Sequence, residues 1–466
     1  MAAPNLPSEI WAEIASYLPR RDLRTLLFIP HVLSSLASRQ LSRNVFLKFG
    51  TAQFDTWCKA HPMVARSVEL DARRSFEILL RLASDPSYAN LVESLAVYAL
   101  GNKERMSAHI ELLIDVLPKL TNLKVFTCSL DDDVMASVFG VLESSQPSLQ
   151  VLVIEPGTYR HPPPPKLSQV RRFAYCARGI KTSTEIDHFL SAHTDALHTL
   201  IVYHIFGRYE SSLIFTQNLR TLHLSSTITN PDFISEILTH GQQLKSLRLE
   251  IYMDPGCFVS TAFRAHAGSK PLPALRKFAF VLRCVGSLFE DPDLFPAVAE
   301  FLREHPALTS LSIVGLSWLD TVGYNAKLWN ALPAFIGLRA LKISVPNDLL
   351  LTQGASLIPR SVVALDLPAL DEAGLIQMLP GLPSGLKFLS LPFDVSPAVR
   401  AVMCQGFPAL RLVILNHCFY TIHRASDGHY FEHWSLRQAK FFVNESLEEL
   451  DCEEARFLFS RLIWDW

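Results

Sequence analysis

The sequence predicts an α/β solenoid, with a parallel inner sheet and outer helices, preceded by a small all-α head. Three observations predict it. A short apolar pattern, Leu-x-x-Leu-x-Leu, recurs along most of the 466 residues. The stretches between its copies carry helix start and stop signals. Residues 1–50 instead place their apolar side chains at helical spacing.

The clearest copies begin at Leu219, Leu244, Leu308, Leu338, Leu386 and Leu410. Leu149, Leu197, Leu275 and Val362 begin further good copies, and Ala65, Val92, Leu123 and Val170 weaker ones. From 65 to 410, thirteen steps cover 345 residues, a mean of about 26.5. The closing Leu-x-Leu alternates with period two, the spacing of a strand with one buried face. Between copies, Asn230-Pro231 opens a helix over 232–240 that Gly241 stops. Ser396-Pro397 opens another over 398–404. Asp131-Asp132-Asp133 precedes a third over 134–143, where negative charge complements the helix dipole. Pro147, Pro273, Pro306 and Pro408 each stand two residues before a copy, placed to end a helix. Strand–helix units repeated in this order set parallel strands on one side and helices on the other. Each unit buries its apolar side on its neighbours.

Over residues 65–418 this pattern resembles the leucine-rich-repeat family, whose repeats run roughly 20–29 residues. The family places Asn or Cys three residues after the last leucine of a copy. Here only the Leu410 copy conforms, with Cys418; elsewhere that position holds Asp131, Gly157, Thr227, Tyr252 or Pro346. The expectation is an irregular leucine-rich-repeat solenoid over 51–418, with a C-terminal cap or tail helix over 419–466. In that cap the acidic residues from Glu448 to Glu454 form a solvated face, and Leu447, Leu450, Phe457, Leu458 and Trp464 cover the last repeat.

The head spans residues 1–50. Ile10, Ile14 and Tyr17/Leu18 outline one helix that Pro19 ends, Asp22 stands near the start of a second, and Val32, Leu36 and Ala37 outline a third. Three such short helices cannot bury all their apolar faces alone. Leu6, Pro7, Glu9, Ile10, Ile14, Tyr17, Leu18, Asp22 and Leu23 match, in order, the pattern of an F-box, which this stretch resembles. One departure is that Val32 is followed by Leu33, where the family often has Trp. The resemblance implies binding to a Skp-family adaptor and, through it, to a cullin-RING ubiquitin ligase. It also puts Leu6, Pro7, Ile10, Ile14, Leu18 and Leu23 in or beside the adaptor interface. The plainer reading of the same residues is a helical cap on the open end of the repeats.

Composition narrows the function classes. The chain is 49% hydrophobic and 19% charged with a net charge of −2, so it has core to bury and no global basic field for nucleic acid or membrane. Residues 1–9 lack the basic start and apolar stretch of a signal peptide, and no apolar run is long enough to span a bilayer. Eight scattered cysteines without a Cys-x-x-Cys pair suit a reducing compartment. The expectation is a cytoplasmic or nuclear protein. Phosphate-binding loops and nucleophile elbows are absent, and Gly381–Lys387 has the wrong spacing for one. Rather than holding a metal, Cys418 is expected to fill the repeat turn position and His417, His423, His429 and His433 to decorate a surface loop. Pro162 to Pro165 reads as a stiff loop. No enzyme activity, cofactor or metal is expected.

Residues alternating with the leucines point away from the helix side. Tyr203, His223, Arg248, Lys277, Lys342, Asp366 and Phe388 are therefore expected to form an exposed protein-binding face. Taken with the F-box resemblance, the expected function is substrate recognition for a Skp-cullin-F-box ubiquitin ligase. The alternative is a leucine-rich-repeat scaffold with no ubiquitin link.

Overall fold

Thirteen of the fourteen copies become strands, each beginning two residues after the first residue of its copy. A computed structural model of the chain describes residues 7–18, 20–28, 32–49, 62–99, 103–155, 164–177, 183–208, 218–253, 256–283, 290–315, 319–346, 348–368, 370–425, 428–434, 447 and 450–458. They form two compact units, Met1–Ser211 and Ser212–Trp466.

The first unit opens with three helices, α1 (Ser8–Tyr17), α2 (Arg20–Leu26) and α3 (Val32–Ser42). Six parallel strands follow: β1 (Asn44–Phe49), β2 (Ser94–Ala99), β3 (Val125–Leu130), β4 (Val151–Ile154), β5 (Arg172–Ala177) and β6 (Thr199–Arg208). Two expectations are corrected here. Ala65 does not begin a repeat strand; it lies inside the helix Pro62–Ser84. The first strand is instead β1, which pairs with β2 from Asn44↔Ser94 to Phe49↔Ala99, so 44–49 belongs to the sheet and not to the head. Val45, Leu47 and Phe49 carry the period-two burial of a strand, but Ser42 stands where a leucine begins other copies, which hid it.

The second unit continues with β7 (Thr221–Ile228), β8 (Ser246–Met253), β9 (Lys277–Arg283), β10 (Ser310–Gly315), β11 (Ala340–Ile343), β12 (Ala364–Asp366), β13 (Phe388–Leu391) and β14 (Leu412–Leu415). All eight run parallel, each beside the next. Two antiparallel strands, β15 (Cys418–Ala425) and β16 (Gly428–His433), close this sheet. Cys418 thus does not hold a repeat turn; it opens β15 opposite Leu415. The reason is the two-residue loop before it. Asn416 and His417 both take positive φ, 47° and 65°, the geometry that turns a strand straight back. The three histidines that follow lie on the hairpin strands rather than in a loop.

The leucine side of the strands meets the helices. In β9, Phe278 and Phe280 meet Phe301 and Phe295 of the helix Leu294–Arg303, with ring centroids 5.1 and 5.9 Å apart. In β5, Phe173 lies 4.1 Å from Phe189 of the helix Ser183–Ala192. Each fully buried side chain of this size contributes roughly 1.5–3 kcal/mol, which is how the repeats hold together. The expected helices over 232–240, 398–404 and 134–143 are found as Asp232–His240, Pro397–Gly406 and Asp132–Ser145. Asn230 Oδ1 accepts from the Asp232 N–H, and Ser396 caps the second of them at Val399.

No described helix is long and apolar enough to cross a membrane. Most of the expected terminal helix lies outside the described residues, within which Leu447 is helical. Glu453–Phe457 forms a single 3₁₀ turn, and Leu447 and Leu458 lie on the sheet face rather than beyond the last repeat. Of the proline run, Pro164 and Pro165 are buried, while Pro162, Pro163 and Trp464 lie outside the described residues.

Candidate protein-interaction surfaces

The head builds a very small core of its own. Ala15, Leu23 and Ala37 are buried, with Leu18, Leu26, Leu36 and Leu41 packed against them. Other large apolar residues stay in solvent: Ile10 at 43% exposure, Ile14 at 37%, Leu27 at 39%, Val32 at 40% and Phe28 at 87%. Of the six expected interface residues, Pro7, Ile10 and Ile14 are exposed, Leu18 is half-buried, and Leu23 is buried inside the head. Leu6 lies outside the described residues. Leu23 therefore acts as core and presents no surface. Leu27, Phe28 and Val32 were not expected. Their signal is the run Leu26-Leu27-Phe28-Ile29, more apolar than a three-helix core of this size can take in.

The second surface is the sheet face opposite the helices. Tyr203 in the first unit, and His223, Arg248, Lys277, Lys342, Asp366 and Phe388 in the second, occupy strand positions opposite the helices of their own unit, yet only Lys277 is exposed and Lys342 half-buried. The other five are buried, which corrects the expectation of an open face. Two clusters account for much of this. In the first, Glu250 receives Arg248 Nε at 2.9 Å and Arg283 Nη2 at 2.6 Å, and His223 Nε2 lies 3.6 Å away. Burial opposes ionisation of Glu250. The charge of Arg248, the nearby His223 ring and the charge of Arg283 outweigh it and hold the carboxyl well below its usual range. Burial pushes the His223 ring the other way, toward its neutral form. Further along, Lys342 Nζ lies 2.6 Å from Asp366 Oδ2.

The second cluster is apolar. Register aligns Ala340, Ala364, Phe388 and Leu412 in one row across β11–β14. Phe419, Trp434, Leu447, Cys452, Ala455 and Leu458 pack with that row. Polar contacts fix the later residues along the face. Lys387, one residue before β13, pairs with Asp451. Arg339, one residue before β11, pairs with Glu454 at 2.8 Å. Arg248 Nη1 donates to the Phe457 carbonyl at 3.2 Å. Burial pushes the Cys452 thiol up to about 12, so it is packing and not a nucleophile.

Among the described residues, no group of three or more His, Cys, Asp or Glu is arranged to hold a metal. His423 pairs with Glu432 at 2.6 Å on the β15–β16 hairpin. No family model matches the chain, and no curated protein matches it. Among solved structures, one from Bacteroides fragilis, determined as a structural genomics target, is similar over 72% of this chain and 68% of its own. Its identity is 11% and its TM-score 0.22.

Proposed function

We propose that the protein is the substrate-recognition subunit of a Skp-cullin-F-box ubiquitin ligase. The head binds the Skp-family adaptor, and the irregular leucine-rich repeats hold a protein substrate. The observation that carries this reading is the head itself. Among the described residues, a three-helix unit that buries Ala15, Leu23 and Ala37 leaves Ile10, Ile14, Leu27, Phe28 and Val32 in water. Exposed large apolar residues gathered on so small a unit point to a docking surface. The protein forms no covalent bond on this reading. It raises the effective concentration of its target at the ligase. It works in the cytoplasm or nucleus.

The test is a pulldown of purified protein with a Skp-family adaptor, wild type beside Ile10→Asp/Phe28→Asp. Both positions are exposed, so the variant is expected to keep its circular-dichroism spectrum and lose the adaptor, by at least about 2 kcal/mol. A folded wild type that leaves the adaptor in solution makes the head a cap on the repeats. The alternative, a leucine-rich-repeat scaffold without a ubiquitin link, then takes its place.

A further inference from the structure

We propose that the sheet face of β8–β14 is a docking surface for an acidic, apolar segment of a partner protein. Residues 447–458 are then an exchangeable stand-in for that segment, carried by the chain itself. The inference deepens the second half of the reading above, capture of a protein by the repeats, and stands or falls without the adaptor.

The face has a floor and a row of cations. The floor is Ala340, Ala364, Phe388 and Leu412, aligned strand to strand. Arg248, Arg339 and Lys387 reach the covering segment from β8 and from the positions just before β11 and β13. The covering segment matches this pattern with a period of three. Cys452, Ala455 and Leu458 are three apart and all buried against the floor. Asp451 and Glu454 are also three apart, and they meet Lys387 and Arg339. Glu454 and Ala455 lie in the 3₁₀ turn Glu453–Phe457 and Cys452 and Leu458 flank it, so one short segment presents an apolar row and an acidic row side by side. An apolar seal alone would need no charges. Charge pairs matched to the period fix the register of what binds and reject basic or neutral segments.

The segment is held in a way that allows exchange. The N–H groups of Cys452, Ala455 and Leu458 bond to carbonyls within the segment, at 2.7, 3.0 and 2.8 Å. Its release therefore breaks no strand pairing in the sheet. The two ion pairs lie at the solvent edge, with Asp451 at 64% and Arg339 at 46% side-chain exposure. Release uncovers an apolar floor edged by cations, the complement of an acidic, apolar peptide. Because the stand-in is tethered, it competes at high effective concentration, and an incoming segment displaces it by binding better or by arriving on an already docked partner.

The experiment uses the full chain and a labelled peptide with the sequence of residues 446–459. Wild type is compared with Asp451→Lys/Glu454→Lys, whose own segment is repelled by Lys387 and Arg339. Fluorescence anisotropy is expected to show the variant binding the peptide at least about tenfold more tightly than wild type. Equal binding by the two overturns the proposal. Hydrogen exchange on the unmodified protein gives an independent reading that does not depend on the variant folding. The Cys452 and Ala455 amides are expected to exchange at least about a hundredfold faster than those of β13. Protection equal to that of β13 makes the segment a permanent part of the fold and overturns the proposal. Neither measurement involves the adaptor, so failure of the ligase reading shows separately in the pulldown.

Discussion

Glu250 shows how single side chains are held on the sheet face. Its carboxylate is fully buried between Arg248 and Arg283, whose side chains are 5% and 9% exposed. Removing one partner from such a buried group leaves uncompensated charge and costs about 3–5 kcal/mol. Glu250→Gln is therefore expected to lower the unfolding free energy by that amount in urea titration; a loss below about 1 kcal/mol would show that the cluster relaxes freely. Arg248 was legible from its alternation with the leucines. Glu250 was equally available, since two residues along a strand lie on one face, but nothing in the sequence says that the two pair. Buried polar side chains also recur between repeats. Gln146 Nε2 donates to the Leu117 carbonyl at 2.6 Å, His193 Nε2 lies 2.7 Å from the Leu167 carbonyl, and His305 Nε2 lies 2.6 Å from the Pro271 carbonyl. Each ties the end of one helix to the turn of the preceding repeat, a contact no spacing rule announces.

At the scale of elements, local chemistry decided most of the outcome. Thirteen strands start where the leucine pattern places them, because a residue two positions into each copy begins an alternation with one buried face. The misses have local causes as well. The strand β1 lacks the upstream leucine, and the Asn416-His417 turn replaces a repeat turn with a hairpin. One connection depends on a glycine. Gly323 lies between the 3₁₀ turn Leu319–Val322 and the helix Ala326–Trp329 with φ +69°, and a Cβ there would collide with the Pro292 carbonyl. Gly323→Ala is expected to destabilise by more than about 1 kcal/mol, read as a lower melting temperature in calorimetry. An unchanged melting temperature would mean that this turn shifts at no cost.

At the scale of the whole molecule, the segment 447–458 links strands that are far apart in sequence. Arg248 is 209 residues from its acceptor at Phe457, and Arg339 is 115 residues from Glu454. The link to Lys387 carries a pH dependence. The hydrogen bond from Lys387 holds the Asp451 carboxyl below its ordinary range. A group with a depressed folded pKa stabilises the fold above its ordinary value, here about 4, and that contribution is lost as pH falls through the folded value. Solvent screening keeps it below about 1 kcal/mol. Lowering the pH from 7 toward 3 is expected to raise opening of the segment a few-fold, measured by hydrogen exchange at Cys452 corrected for intrinsic rates. Lys387→Met is expected to flatten that response, and an equal response in both proteins would remove Asp451 as its cause.

The sequence by itself determined the strand positions from β2 to β14, three of the helices between them and the three helices of the head. Those features depend on periodicity, caps and prolines within a few residues of one another. It also determined which residues lie on the side of the sheet away from the helices, because alternation is a property of a strand alone. Only the tertiary structure decided what covers that side. Burial of Phe388 under Leu447, Cys452 and Leu458, and of Arg248 beside Glu250 and the Phe457 carbonyl, comes from segments that meet across the sheet. Which segment crosses a face depends on the path of the whole chain, and an acidic run reads as a solvated helix until arginine and lysine side chains are brought opposite it.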